Sequence, residues 1–101
     1  MKVIFVLFTL VFSLIASNRV DSLMQLNNQQ KFEQLELAAQ AVIDDSSISM
    51  EEMELPLLYL AEAKSRLDKT DDLPEIFKRF FSNYPASDSL SRMYYLTAIY
   101  N

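Results

Sequence analysis

The chain has 101 residues, with 9 basic against 14 acidic side chains and a net charge of −5. It contains no Cys, no His and no Gly. Those absences exclude a disulfide framework, remove the usual general base and metal ligand, and disfavour Gly-rich phosphate loops and tight primed hairpins.

Lys2 gives the chain a short basic start, residues 3–15 (VIFVLFTLVFSLI) form an apolar run, and residues 16–22 (ASNRVDS) are small and polar. That order is the pattern of a secretory signal peptide. The run is too short for a spanning helix, which needs roughly 20 apolar residues. Signal peptidase accepts small side chains one and three positions before the cut. Val20 and Ser22 meet that need for a cut after Ser22, and Ile15 and Ser17 meet it less well for a cut after Ser17. The sequence therefore predicts a signal peptide over residues 1–22 and a secreted, extracellular domain over residues 23–101. Removing Lys2, Arg19 and Asp21 takes the net charge from −5 to −6. A negative chain is disfavoured for nucleic acid, whose affinity rests on Lys and Arg at phosphates. The same charge disfavours anionic bilayers, so no stable membrane association is expected once the leader is removed.

Residues 23–30 are rich in Asn and Gln and are expected to fray. Helical spacing then begins, with Phe32, Leu35, Ala38, Ala39, Val42 and Ile43 on one face of a helix predicted over residues 29–43. A second helix is predicted over residues 50–68, opened by the capping-box spacing of Ser49 and Glu52. Pro56 would kink that helix if it lay in the interior, so a short turn followed by a main helix from about Leu55 is favoured. Lys64 falls inside the apolar stripe, and the ordinary expectation is a buried stem with its ammonium in water. The third helix, residues 73–84, follows a capping Asp72 and an early Pro74, and has the cleanest apolar face: Leu73, Ile76, Phe77, Phe80, Phe81 and Tyr84. The last, residues 89–100, opens at Ser87 or Asp88 and is apolar all round, with Ser91 and Arg92 almost its sole polar relief.

No stretch alternates with period two. The expected fold is all-α, one domain built as a small bundle of about four short antiparallel helices. No catalytic residue, cofactor or metal ligand is predicted. The acidic groups Asp44-Asp45, Glu51-Glu52-Glu54 and Asp71-Asp72 lack the ligand spacing and turn Gly of a calcium loop. Seven of the nine aromatics beyond residue 22 lie within residues 77–100, and aromatics are enriched where proteins meet. Tyr95, Leu96, Ile99 and Tyr100 face away from Leu90, Met93 and Tyr94, and form the candidate interface. The leading expectation is a non-enzymatic secreted protein that binds another protein, or a second copy of itself, through its last helix. The alternatives are a carrier of an apolar small molecule or lipid, and a peptide precursor cut at the dibasic pair Lys78-Arg79.

Overall fold

The computed structural model describes residues 19–100. The predicted leader up to residue 18, and Asn101, lie outside the described residues. Helix α1 covers residues 19–28 and α2 covers Phe32–Asp44. A single 3₁₀ turn, Glu51–Met53, runs directly into α3, Glu54–Arg66. Helix α4 spans Leu73–Asn83 and α5 spans Leu90–Tyr100. Among the described residues there is no strand.

Four of these helices stand where the hydrophobic periodicity places them. The fifth, α1, corrects the expectation of a frayed segment after residue 22. Its Leu23 is 1% exposed and belongs to the core, and Leu26 packs at the core's edge. Two apolar residues three apart among Asn and Gln are too faint a periodicity to register; their burial comes from the helices they dock on.

The helix ends are made without glycine. After α1, Gln30 adopts φ 59°, the Lys31 amide donates to the Leu26 carbonyl (2.9 Å), and the Gln30 amide donates to Asn27 (3.0 Å). After α3, Asp68 adopts φ 58°, with Lys69 donating to Lys64 (2.9 Å) and Asp68 to Ser65 (3.4 Å). Both are Schellman endings, in which a left-handed residue lets two amides turn back onto orphan carbonyls. A residue other than Gly pays roughly 1–2 kcal/mol for that conformation.

At the start of α3, the Glu52 amide donates to the Ser49 hydroxyl (3.2 Å), and that hydroxyl donates to the Glu52 carboxylate (3.0 Å). The predicted capping pair thus closes on itself. Pro56 falls in the first turn of α3, where its missing N–H has no helical partner to lose. The predicted cap Asp72 makes no side-chain cap bond to α4, because its carboxylate is engaged elsewhere. Before α5, the Ser87 hydroxyl accepts from the Ser89 amide (3.0 Å), which orders the turn into that helix.

Helix α3 contacts α2, α4 and α5. Its Leu57, Leu60, Ala61 and Ala63 are buried against Leu35 and Ala39 of α2, Leu73, Ile76, Phe77 and Phe80 of α4, and Met93 and Leu96 of α5 within one core. The alanines on α3 carry little bulk between neighbouring backbones. Phe80 is fully buried and meets Phe81 edge-on (6.3 Å between ring centres) and Tyr84 at a tilt (5.2 Å). The Tyr84 hydroxyl donates to the Met50 carbonyl, tying the end of α4 to the turn before α3. No helix among the described residues is long and apolar enough to cross a membrane.

If α1 is part of the folded core, Leu23→Ala should cost about 2–5 kcal/mol, the range for emptying a buried leucine site. Leu37→Ala, on the exposed side of α2, should change stability by less than about 0.5 kcal/mol. Urea unfolding of the two variants checks the contrast.

Candidate interaction surface

The last helix is apolar nearly all round, so packing decides which side is hidden. Met93 and Leu96 are in the core, while Leu90 and Thr97 sit at its edge. The Thr97 hydroxyl is turned back onto the Met93 carbonyl (2.8 Å). At 100° per residue the opposite side is one contiguous arc of about 140°. It carries Tyr94, Ser91, Ala98, Tyr95 and Ile99, all exposed. Tyr94 is 61%, Tyr95 52% and Ile99 55% exposed. Half of the large apolar side chains exposed among the described residues therefore lie on this one helix.

This placement amends the predicted interface. Tyr95 and Ile99 stand together at the surface, one turn apart. Leu96, at 1% exposure, points into the core. Tyr94 takes its place on the outer face. Tyr100 closes α5, and its side chain lies outside the described residues. A helix with so few polar residues carries little periodic signal to orient it, and Arg92, one turn before Leu96 on the same side, points the wrong way until its buried partner Glu62 is known.

Arg92 and Glu62 hold α5 on α3. The Arg92 Nε donates to one Glu62 oxygen (3.0 Å) and its Nη2 to the other, a two-pronged pair. The Glu62 carboxylate is only 6% exposed, and Arg66 approaches it from one turn further along α3 (3.7 Å). The bond to Glu62 raises the Arg92 pKa further. The same guanidinium lies over the Tyr95 ring, 4.8 Å from its centre, so Tyr95 is oriented by the pair that docks the helix. Tyr94 is oriented from the other side by stacking on Phe81 of α4 (4.7 Å, 25° between planes). Burial, followed by the nearby Glu62, pushes the Tyr59 hydroxyl up.

A second charged cluster joins α2, α3 and α4. The Lys64 Nζ donates to Glu36 (3.2 Å) and to Asp72 (3.3 Å), and the Lys69 Nζ donates to the second Glu36 oxygen (2.7 Å). Lys64 is buried, so it forms a buried ion pair instead of keeping its ammonium in water as expected. Its side chain is 11% exposed, and Glu36 on α2 and Asp72 before α4 face the ammonium. Burial by itself would lower the Lys64 pKa, but hydrogen bonds to Glu36 and Asp72 together outweigh it and the pKa is raised. Glu36 is held below the ordinary carboxylate value, first by Lys69, against the upward push of burial, and then by Lys64. The Schellman ending at Asp68 is what turns Lys69 back within reach of Glu36.

Beside this cluster is a cleft of about 320 Å³ with an apolar floor of Ile43, Leu57, Leu60 and Ile76. Its rim of Gln40, Lys64, Asp72, Glu75 and Arg79 balances two cations against two carboxylates. The dibasic pair Lys78-Arg79 lies within α4, with the Arg79 guanidinium 3.0 Å from the Met53 sulfur. Among the described residues, no group of three or more acidic side chains is placed to hold a metal ion. Compared with protein-family models, with curated proteins and with solved structures, the chain matches none.

Two outcomes follow from the charged pairs. Glu36, with its pKa lowered in the fold, supplies stability that is complete above pH 4.5 and is lost as pH falls through the lowered value. Glu36→Gln should therefore be clearly less stable than the parent at pH 7, and the gap should narrow as pH falls below 4.5, by urea midpoints across that range. Arg92→Ala strands most of the Glu62 charge and should cost about 1–2 kcal/mol, reduced because Arg92 itself is partly solvated. Replacing Glu62 and Arg92 together by leucine should recover most of that loss.

Proposed function

We propose that this is an exported, non-enzymatic helical protein that acts by binding protein, a second copy or a partner, through the outer face of α5. The observation that carries the reading is the contiguous arc of Tyr94, Tyr95 and Ile99 on a helix whose opposite side is already seated in the core. Each aromatic on that arc is held in place, Tyr95 by Arg92 and Tyr94 by Phe81. Side chains ordered before contact lose less freedom when a partner covers them. Tyrosine and arginine are also the residue types that anchor protein interfaces. Where the partner is a different protein, the chain's acidic balance favours a surface that is apolar at its centre and basic or neutral at its rim.

Export is supported by Lys2, the apolar run over residues 3–15 and the small residues that follow. Carriage of an apolar ligand has one favouring observation, the cleft floored by Ile43, Leu57, Leu60 and Ile76. Two features weigh against it: the charged rim, and a core already filled by Phe80, Leu57 and Leu35. Release of a peptide at Lys78-Arg79 would require a protease to open α4 beside its most buried ring. Proteases bind their substrates extended, so the reading of a precursor is the weakest of the three.

Sedimentation equilibrium over a range of concentrations tests self-association. The parent protein should form reversible dimers. The Tyr95→Ser, Ile99→Asp double variant should weaken them at least tenfold, about 1.4 kcal/mol, with an unchanged helical circular-dichroism spectrum. A strictly monomeric parent would remove self-association and leave only a different partner.

A further inference from the structure

We infer that Ser49 is a phosphorylation site, modified by a serine kinase whose basic substrate groove reads carboxylates on the C-terminal side of the target. The site lies apart from α5 and uses none of its side chains. Ser49 belongs to the non-helical link of residues 45–50 between α2 and the 3₁₀ turn. It is exposed, as are Ser46, Ser47 and Met50 around it. Two and three positions further on stand Glu51 and Glu52, both exposed, with Glu54 beyond them. Among the described serines this combination occurs at Ser49 alone. Ser65 has Asp68 three positions on, but its hydroxyl is buried. Ser46 and Ser47 have no acid at either position, Ser82 lies within α4, and Ser91 lies within α5 beside Arg92. Thr70 has one acid in that frame, Asp72, which is already paired with Lys64 and followed by Leu73.

Kinases bind the target segment extended, and to present Glu51 and Glu52 only the single 3₁₀ turn Glu51–Met53 has to give way. In the transfer, the Ser49 Oγ attacks the γ-phosphorus of a nucleoside triphosphate. The bond from that phosphorus to the bridging oxygen breaks, nucleoside diphosphate leaves, and the hydroxyl proton passes to the kinase's base. The product carries roughly −1.5 to −2 charge at neutral pH. Unmodified, the Ser49 hydroxyl accepts from the Glu52 amide (3.2 Å) and donates to the Glu52 carboxylate (3.0 Å). A phosphate still accepts from that amide, but it has lost the hydroxyl proton and repels the carboxylate beside it. Phosphorylation thereby undoes one half of the capping pair that precedes α3. Positive charge reaches the same turn from Arg79, whose guanidinium lies 3.0 Å from the Met53 sulfur, a weak acceptor.

The full chain is produced in a eukaryotic secretory line, and the material in the medium and in the cells is read separately by intact mass and by fragment mass spectrometry. One phosphate on Ser49 is expected, and none at that position in Ser49→Ala. The Glu51→Gln, Glu52→Gln double variant should lower phosphate occupancy at least about tenfold. Glutamine also completes a capping box, so the double variant removes the charge and keeps the helix start; an unchanged helical circular-dichroism spectrum checks this. Ser49 without phosphate in both fractions would overturn the assignment wherever the chain is found, and its distribution between medium and cells tests export separately. Occupancy that the double variant leaves unchanged would also overturn it, because the carboxylates would then play no part in recognition.

Discussion

Helix α3 packs against α2, α4 and α5, and those contacts bury charged side chains that it carries, although Arg66 at its end stays exposed. Two of them, Glu62 and Lys64, sit two positions apart and so point to nearly opposite sides of the helix. Each is buried and each is answered by a different neighbour: Glu62 by Arg92 of α5, and Lys64 by Glu36 of α2 and Asp72 at the start of α4. The central helix thus assigns an address to every helix around it.

Such pairs contribute more to choice of arrangement than to net stability. Taking two charges from water costs several kcal/mol per ion, and the attraction returns that cost only with good geometry and further hydrogen bonds. Here the further bonds exist. Lys69 satisfies the second oxygen of Glu36, and Arg66 approaches Glu62. Lys69 reaches its target because the chain reverses at Asp68 in a left-handed conformation that glycine would adopt freely. A chain without glycine accepts that strain at Gln30 and Asp68 and gains two firm helix ends.

The charged pairs also connect the interior to the surface. Arg92 binds Glu62 on its inner side and carries the Tyr95 ring on its outer side, so the residue that seats α5 also orders the exposed face. Phe81 does the same for Tyr94, since it packs on the core while stacking on an exposed ring. An ordered aromatic patch on a well-anchored helix is the feature that makes protein binding the preferred reading over a ligand held inside the bundle.

The places of four helices were legible in the chain because they follow from local physics, but not every end: α2 starts at Phe32, not residue 29, and α3 stops at Arg66, not residue 68, because the chain reverses at Gln30 and Asp68. Apolar spacing of three and four places α2 and α4, Pro56 and Pro74 fall where the helix has no amide to lose, and Ser49 meets Glu52 three positions on. The side chains that decide the surface were not legible. Leu96 and Tyr94 exchange roles on α5, Lys64 takes a buried partner, and Leu23 enters the core from a stretch that reads as polar. In each case the deciding neighbour lies far along the chain: Glu62 for Arg92, Glu36 for Lys64. Local sequence determines where a helix can form, since propensity and capping act within a turn or two. Which face it hides depends on charges and rings that come together only when the helices pack.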